Sequence, residues 1–348
     1  MIRTGDGISR RSLLLSFPAL IAASRAAGQT TNSPIPVRGI NHVTLLVPDV
    51  RRSVDFYQGL FGMPVISRQG AAMNLRVGNG PQFLGLAPSG GNSPRIDHFC
   101  LGVENFDPDR LVSVLGRYGV TQSDTAGPMR ARVRRRGAEA GGASEGTPEL
   151  YFGDPDGITV QLQDPRYCGG AGRLGDVCPR PEPSPKNGLL AVRTWSHCTN
   201  FVSDAERSNK FYQELFGLRI QAYQGPNAPL LGAGEGVQFI MFAGGGGGRG
   251  RATAASPAAS IHHLCLGMDG FNPDKVIKAL ESYGIKPRGS AQGPAGPLVH
   301  YISMRMENRG GAKEGTPELY FTDPDGLLVQ LQDVTYCGGA GVLGDVCS

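Results

Sequence analysis

Charge of one sign is what this chain most plainly lacks: 34 Lys and Arg stand against 30 Asp and Glu over 348 residues. Much of the small excess sits at the start, where Arg3, Arg10, Arg11 and Arg25 face only Asp6 within the first 28 residues, a net of +3. Without them the charge is 4 − 3 = +1, which excludes an electrostatic drive toward nucleic acid. After the N-terminus no apolar run approaches the ~20 residues that a spanning helix needs. Histidine occurs only six times, so a histidine that recurs at matching positions is informative. Disorder is excluded by 40% hydrophobic against 18% charged residues. Glycine is what abounds, with 52 residues and no triplet period, and it reads as turns and loops rather than collagen.

Ser9-Arg10-Arg11-Ser12-Leu13-Leu14 opens a moderately apolar stretch that runs to Ala23, and small residues follow at Ser24, Ala26, Ala27 and Gly28. Charge, apolar core and cleavage region occur in the order of a cleaved signal peptide over residues 1–28, and the paired arginines read as a twin-arginine signal. The alternative is a basic, disordered tail. Export implies the twin-arginine machinery as a partner and a periplasmic or secreted destination, where disulfides persist. No membrane insertion is expected after cleavage.

The rest of the chain is written twice. Residues 147–178 and 316–347 agree at 26 of 32 positions. Upstream, His42 aligns with His197, Phe56-Tyr57 with Phe211-Tyr212, and Asp97-His98-Phe99-Cys100 with His262-His263-Leu264-Cys265. The Gly244–Gly248 run and the Ala/Pro-rich stretch after it are extra loop in the second copy. Two domains follow, over 36–178 and 191–348, joined by a proline-rich linker over 179–190.

Each repeat reads as two successive strand-helix-strand patterns. Ile40–Val47 is a strand, Asp49 caps a helix with Val54, Tyr57, Leu60 and Phe61 at helical spacing, and Gly62 ends it. Strands follow at 64–68, 73–77 and 82–86. The pattern restarts with Ile96–Val103, then a helix behind Asp107-Pro108, then strands over 130–136, 149–152 and 159–163. The chain is therefore α+β, with four βαβββ modules.

The strand NHVTLLVPD (41–49), the helix segment FYQGLFG (56–62), the strand DHFCLGV (97–103) and the DPDG turn (154–157) resemble the vicinal oxygen chelate superfamily. That group includes glyoxalase I, extradiol dioxygenases, and fosfomycin- and bleomycin-resistance proteins. The resemblance implies two domains, each a half-open β-barrel of paired modules around one divalent metal (iron, zinc, manganese or nickel). No organic cofactor is implied. The ligand positions fall on His42, His98 and Gln161, and on His197, His263 and Gln330. Glutamine stands where the family normally has glutamate. An amide offers a carbonyl dipole instead of a charge, which weakens the site and shifts it toward metals that favour imidazole. Gln82 and Gln238, each opening the last strand of a first module, are further amide candidates.

Two functions stay open. One is an exported metal-dependent enzyme, an oxidoreductase of dioxygenase type or a lyase of glyoxalase type, acting on a small oxygen-chelating substrate. The other is a metal-free small-molecule binding or sequestering protein of the bleomycin-resistance type. Two domains in one chain supply the pairing that single-domain relatives reach by dimerising, so a monomer is expected.

Tyr151 and Tyr320 match a place where extradiol dioxygenases use a tyrosine on the substrate oxyanion, or they are packing aromatics. Glu149 and Glu318 share the tyrosines' face of an unbulged strand, as a base, a substitute metal ligand, or solvent-facing edge residues. Arg130, Arg132, Arg134, Arg135 and Arg136 form a basic strand, either a protected edge or a seat for a substrate carboxylate or phosphate. The DPDG segments read as turn chemistry. Cys168 with Cys178, and Cys337 with Cys347, share one spacing in an exported chain and read as one local disulfide per repeat. Cys100, Cys198 and Cys265 read as buried and free.

Overall fold

The computed structural model describes residues 33–244, 258–291 and 293–347. The export signal expected over 1–28 lies outside the described residues, as does the glycine run beyond Gly244.

Repeat one runs β1 (Val37–Val47), α1 (Val50–Phe61), β2 (Val65–Gln69), β3 (Ala72–Arg76), β4 (Phe83–Pro88), β5 (Arg95–Val103), α2 (Pro108–Arg117), β6 (Thr121–Gln122), β7 (Arg130–Arg136), β8 (Thr147–Gly153) and β9 (Thr159–Gln163). The helix signals act where the sequence places them. The Asp49 side chain accepts from the Arg52 N–H, and Gly62 leaves α1 at φ 67°, a left-handed value that costs glycine little. Asp107 caps α2 in the same way, with Pro108 in the first turn. Repeat two runs β10 (Val192–Phe201), α3 (Ala205–Phe216), β11 (Ile220–Tyr223), β12 (Pro229–Gly232), β13 (Phe239–Ala243), β14 (Ser260–Met268), α4 (Pro273–Ser282), β15 (Lys286–Pro287), β16 (Val299–Arg305), β17 (Thr316–Thr322) and β18 (Leu328–Asp333).

Each repeat forms one nine-stranded sheet, in the order β2-β3-β4-β1-β5-β9-β8-β7-β6 and its counterpart β11-β12-β13-β10-β14-β18-β17-β16-β15. The order is open, with β2 and β6 at the edges, so neither sheet closes into a full barrel. The two modules of a repeat join where β1 meets β5. Across that seam His42 lies opposite Cys100 and Thr44 opposite His98; Cys100 lies opposite Gln161, and Gln161 opposite Tyr151. Period-two alternation puts these side chains on one face, while Val43, Phe99, Val160 and Leu150 turn to the core on the other.

The two repeats share one hydrophobic core. Helix α1 of repeat one packs on β17 of repeat two through Phe56 and Phe61 against Phe321, at ring separations of 6.3 and 6.1 Å. Helix α3 returns the packing through Phe211 and Phe216 against Phe152, at 6.3 and 6.2 Å. The DPDG turns serve this junction as well as their own hairpins. Asp154 Oδ1 accepts from the N–H groups of Asp156 and Ile158, both at 2.9 Å. Asp156 meets Arg207 of α3, and Asp325 meets Arg52 of α1.

The linker is docked rather than free. Glu182 and Val65 exchange backbone hydrogen bonds of 2.9 and 2.8 Å, which covers the outer edge of β2. Both tail disulfides are present, Cys168–Cys178 and Cys337–Cys347. Cys100, Cys198 and Cys265 are free and buried, and burial pushes all three thiols upward, so they remain protonated.

Candidate metal centre and cleft

In repeat one, Asn41 sets the first histidine. Its Nδ2 donates to the Tyr167 carbonyl at 2.8 Å, which turns Oδ1 toward His42 Nδ1, also at 2.8 Å. Nδ1 therefore carries the proton, and the bare Nε2 faces Gln161 Oε1 at 3.0 Å. Burial first, then the neighbouring His98, holds the His42 pKa well below 6.5 against the opposing Gln161 bond, so the ring is neutral at pH 7. His98 donates Nδ1–H to Asp97 Oδ2 at 2.9 Å, the carboxylate–histidine pairing that orients metal ligands. Burial alone would raise the Asp97 carboxyl, but its contacts with His98 and Arg95 bring it below the usual range. The His42 and His98 rings meet edge to face at 5.6 Å.

Repeat two brings the two histidines slightly closer, with ring centroids 5.4 Å apart, and keeps the amide beside the first. His197 Nε2 lies 3.3 Å from His263 Nε2 and 3.1 Å from Gln330 Oε1. Burial lowers His197 to about 3, the Gln330 bond opposing and Arg305 assisting. Its supports are weaker. Ser196 replaces Asn41 and meets His197 Nδ1 at 3.1 Å, and His262 replaces Asp97 and meets His263 Nδ1 at 2.8 Å. A hydroxyl or an imidazole can donate or accept, so neither partner fixes a tautomer as Asn41 and Asp97 do.

The donor sets fit a divalent cation. Bare nitrogens and amide oxygens 3.0–3.3 Å apart in a buried site repel unless a proton or a cation lies among them. Ligands on one metal, each ~2.0–2.2 Å from it, stand about 3 Å from one another. The Nε2 atoms of Gln161 and Gln330 are buried without partners, so each amide is free to present its oxygen. Among the described residues no three His, Cys, Asp or Glu side chains form a metal set. In both repeats the group that meets the first-strand histidine is the amide oxygen.

Gln82 and Gln238 are not brought to the histidines. Gln238 Oε1 accepts from the Ile40 N–H at 2.8 Å across the repeat junction, and Gln82 lines a separate cleft on that side. The facing residue is one position later. Phe83 stacks on His42 at 4.2 Å and Phe239 on His197 at 4.3 Å. A one-residue change of position on a strand exchanges faces.

Glu149 and Glu318 are buried and already committed, which removes the readings as free base or solvent-facing edge. Glu149 Oε1 accepts from Arg136 Nε at 2.7 Å and from the Tyr167 phenol at 2.8 Å, while Oε2 accepts from Tyr151 at 3.3 Å. Glu318 repeats this with Arg305, Tyr336 and Tyr320. Burial, then the Glu149 charge, pushes the Tyr151 phenol well above 10, so at pH 7 it is a donor and not a base. Its ring meets His98 edge to face at 5.4 Å.

A cleft of about 960 Å³ lies over this face of repeat one and has His42, His98, Gln161 and Tyr151 in its wall. Arg132 and Arg134 also line it, and the Arg132 guanidinium sits 5.6 Å over the Tyr151 ring. Alternation puts Arg130, Arg132, Arg134 and Arg136 on one face of the basic strand and Arg135 on the other: Arg132 and Arg134 line the cleft, Arg136 is buried against Glu149, and Arg130 is exposed and bonds Thr125. The far wall comes from repeat two, through His262, Arg288 and Tyr301, whereas His197, His263 and Gln330 do not line this cleft. Asn41, Phe83 and Tyr167 are contributors that the sequence reading missed. The Tyr-Cys pair recurring at 167–168 and 336–337 was the signal available.

A family model described as the Glyoxalase/Bleomycin resistance protein/Dioxygenase superfamily matches residues 39–162 and 194–331. Among solved structures, the chain is similar to homoprotocatechuate 2,3-dioxygenase from Brevibacterium fuscum (a variant), with TM-score 0.57, 16% identity, and coverage of 88% of this chain and 74% of that one. It is similar to a catechol 2,3-dioxygenase, with TM-score 0.55, 15% identity and 88% of each chain covered. It is also similar to homoprotocatechuate 2,3-dioxygenase from Arthrobacter globiformis, with TM-score 0.56, 16% identity, and 87% and 81% covered. At these identities the likeness establishes the fold. No curated protein matches the sequence.

Proposed function

The chain belongs to the glyoxalase/bleomycin resistance protein/dioxygenase superfamily in both repeats, and on that premise we propose that it is an exported metal-dependent enzyme of the extradiol dioxygenase type, acting on a small anionic substrate with two neighbouring oxygens. The observation that carries this reading is the meeting of two imidazoles and an amide oxygen in each repeat, with a cleft opening on the first. His42, His98 and Gln161 would hold the ion. When bound, a divalent metal supplies Lewis acidity toward two adjacent substrate oxygens and, if it is iron, a route to dioxygen.

The other roles belong to the chain's own groups. Asn41 and Asp97 keep the Nε2 lone pairs of the two histidines turned inward. Tyr151 keeps its proton, which rests on Glu149 at 3.3 Å; turned from Glu149 toward the cleft, the same O–H would donate to a developing oxyanion beside His98. Arg132 and Arg134 place positive charge along the cleft wall, where a substrate carboxylate would pair with them. Leu46 and Leu86 supply apolar wall, and Phe83 backs His42 from the buried side. The paired-arginine signal and the two tail disulfides agree with work outside the cytoplasm.

One observation favours the metal-free binder instead. If the Gln161 amide is turned over, its Nε2–H donates to His42 Nε2 and completes the network without an ion. Oxygen uptake decides between them. Iron-loaded protein should consume dioxygen with catechol or homoprotocatechuate, the compounds named for the similar folds. His98→Ala should abolish uptake and His263→Ala should spare most of it. Tight binding of those compounds by metal-free protein, with no uptake after loading, would move the assignment to a sequestering protein.

A further inference from the structure

We infer that the disulfide-closed loop Cys168–Cys178 is a positioning clamp for the repeat-one site, acting on His42 through Asn41 and on Tyr151 through Glu149. This role rests on the metal reading above, but it is visible in metal-free protein.

The loop is rigid by construction. Ala171 and Val177 exchange backbone hydrogen bonds of 3.0 and 3.1 Å, Cys168 N–H reaches the Gly175 carbonyl at 3.0 Å, and the disulfide closes the ends. It is also pressed onto β2 and β3. Ser67 Oγ donates to the Cys168 carbonyl at 2.6 Å. A Cβ on Gly169, at φ +75°, would come within 2.4 Å of Asn74 Nδ2 and 2.7 Å of Ser67 Oγ, so only glycine fits there.

Two arms run from this anchored loop into the site. In the first, the Tyr167 carbonyl accepts from Asn41 Nδ2 at 2.8 Å, and the same amide presents Oδ1 to His42 Nδ1–H at 2.8 Å. An asparagine lacking that carbonyl partner could rotate its amide and reverse the His42 tautomer. In the second, the Tyr167 phenol donates to Glu149 Oε1 at 2.8 Å. Arg136 bonds Glu149 with Nε at 2.7 Å and the loop's Gly170 carbonyl with a terminal nitrogen at 2.9 Å. Glu149 then holds Tyr151. Asn41 and Tyr167 are positioning residues, since both act through His42 or Glu149.

Repeat two provides an internal control. Its loop keeps the second arm, with Tyr336 on Glu318 at 3.0 Å and Arg305 on the Gly339 carbonyl at 2.9 Å. It lacks the first, because the Asn41 position holds Ser196. Among the described residues no hydrogen bond joins Ser196 to the Tyr336 carbonyl. The same loop therefore governs the first-strand histidine in one repeat only.

Imidazole nitrogen NMR on metal-free, ¹⁵N-histidine-labelled protein tests this. Wild-type His42 should be in the Nδ1–H form. Asn41→Ser, which installs the residue tolerated in repeat two, should shift it toward Nε2–H and lower zinc affinity on the order of 10- to 100-fold, as loss of an outer-shell partner does. Cys168→Ser with Cys178→Ser should shift the same signal, whereas Cys337→Ser with Cys347→Ser should leave His42 unmoved. An Nε2–H form in the wild type, or an unmoved His42 signal in Asn41→Ser, would overturn the clamp. If the cysteine pair variant does not fold, Asn41→Ser still decides. The tautomer pattern appearing in a protein that binds no metal would sustain the clamp while the metal reading fails.

Discussion

Tyr57 in the first helix of repeat one donates its phenolic O–H to Asp323 in the β17–β18 turn of repeat two, at 3.1 Å. Tyr212 mirrors this on Asp154 at 3.4 Å. The duplication is thus locked by exchange, each copy's first helix seated on the other copy's terminal hairpin.

The exchange has a pH signature. Burial raises Asp154 and Asp323 to about 6, against the backbone hydrogen bonds that favour the charged form. A folded pKa above the unfolded value of ~3.9 means the folded state holds extra protons between about pH 4 and 6. The stability they contribute is full below that window and is lost as pH rises through 6. Asp154→Asn with Asp323→Asn keeps the oxygen that accepts the backbone N–H groups and removes the titration. Its stability relative to wild type should rise between pH 4.5 and 7, by on the order of 2 kcal/mol per site. Urea midpoints at the two pH values give the answer, and a difference that does not change with pH would refute the shift.

The buried Arg136–Glu149 and Arg305–Glu318 pairs should be costly to break from one side. Arg136→Met leaves the Glu149 carboxylate buried beside two tyrosines with only the half-exposed Arg134, 3.5 Å away, as counter-charge, and about 3 kcal/mol should be lost. Adding Glu149→Gln to the same chain should recover part of it. Chemical denaturation of the single and double variants checks both statements.

Anion recognition should depend on the face of the strand and not on its charge count. Arg132→Gln or Arg134→Gln should weaken homoprotocatechuate binding about tenfold each, with a reduced salt dependence. Arg135→Gln removes the same charge from a side chain outside the cleft and should change little. Calorimetric titration at two salt concentrations separates these outcomes.

The amide ligand should be improvable. Gln161→Glu restores a carboxylate at the position where the superfamily normally carries one, and zinc or manganese affinity should rise at least about tenfold. A rise seen for Gln161→Glu but not for Gln330→Glu would indicate that only the repeat facing the cleft binds the ion under those conditions.

Much of the scaffold was legible because it is local. Asp49 and Asp107 as caps, Gly62 as a helix end, and the apolar strand runs 40–47 and 96–103 are nearest-neighbour chemistry, and the duplication let one repeat check the other. The histidines were legible for the same reason. What was hidden depends on contacts distant in sequence. Asn41 acquires its role only when Tyr167, 126 residues later, lies behind it. Glu149 read as a free acid because its partner Arg136 was one of five similar arginines. Gln82 reads as a candidate in sequence, while Phe83 is the residue that faces His42, because strand faces cannot be assigned to single-residue accuracy at a strand's first position. The exchange of helices between repeats leaves no periodic trace at all, since Phe152 and Phe321 are ordinary core residues in any register.

The most direct measurement is the metal content of folded protein supplied with iron, zinc, manganese and nickel, set beside His42→Ala, His197→Ala and the pair combined. The account predicts a bound divalent metal that falls when His42 is replaced and is absent from a folded double variant. A metal-free wild type after loading, or metal retained unchanged in the double variant, would contradict it.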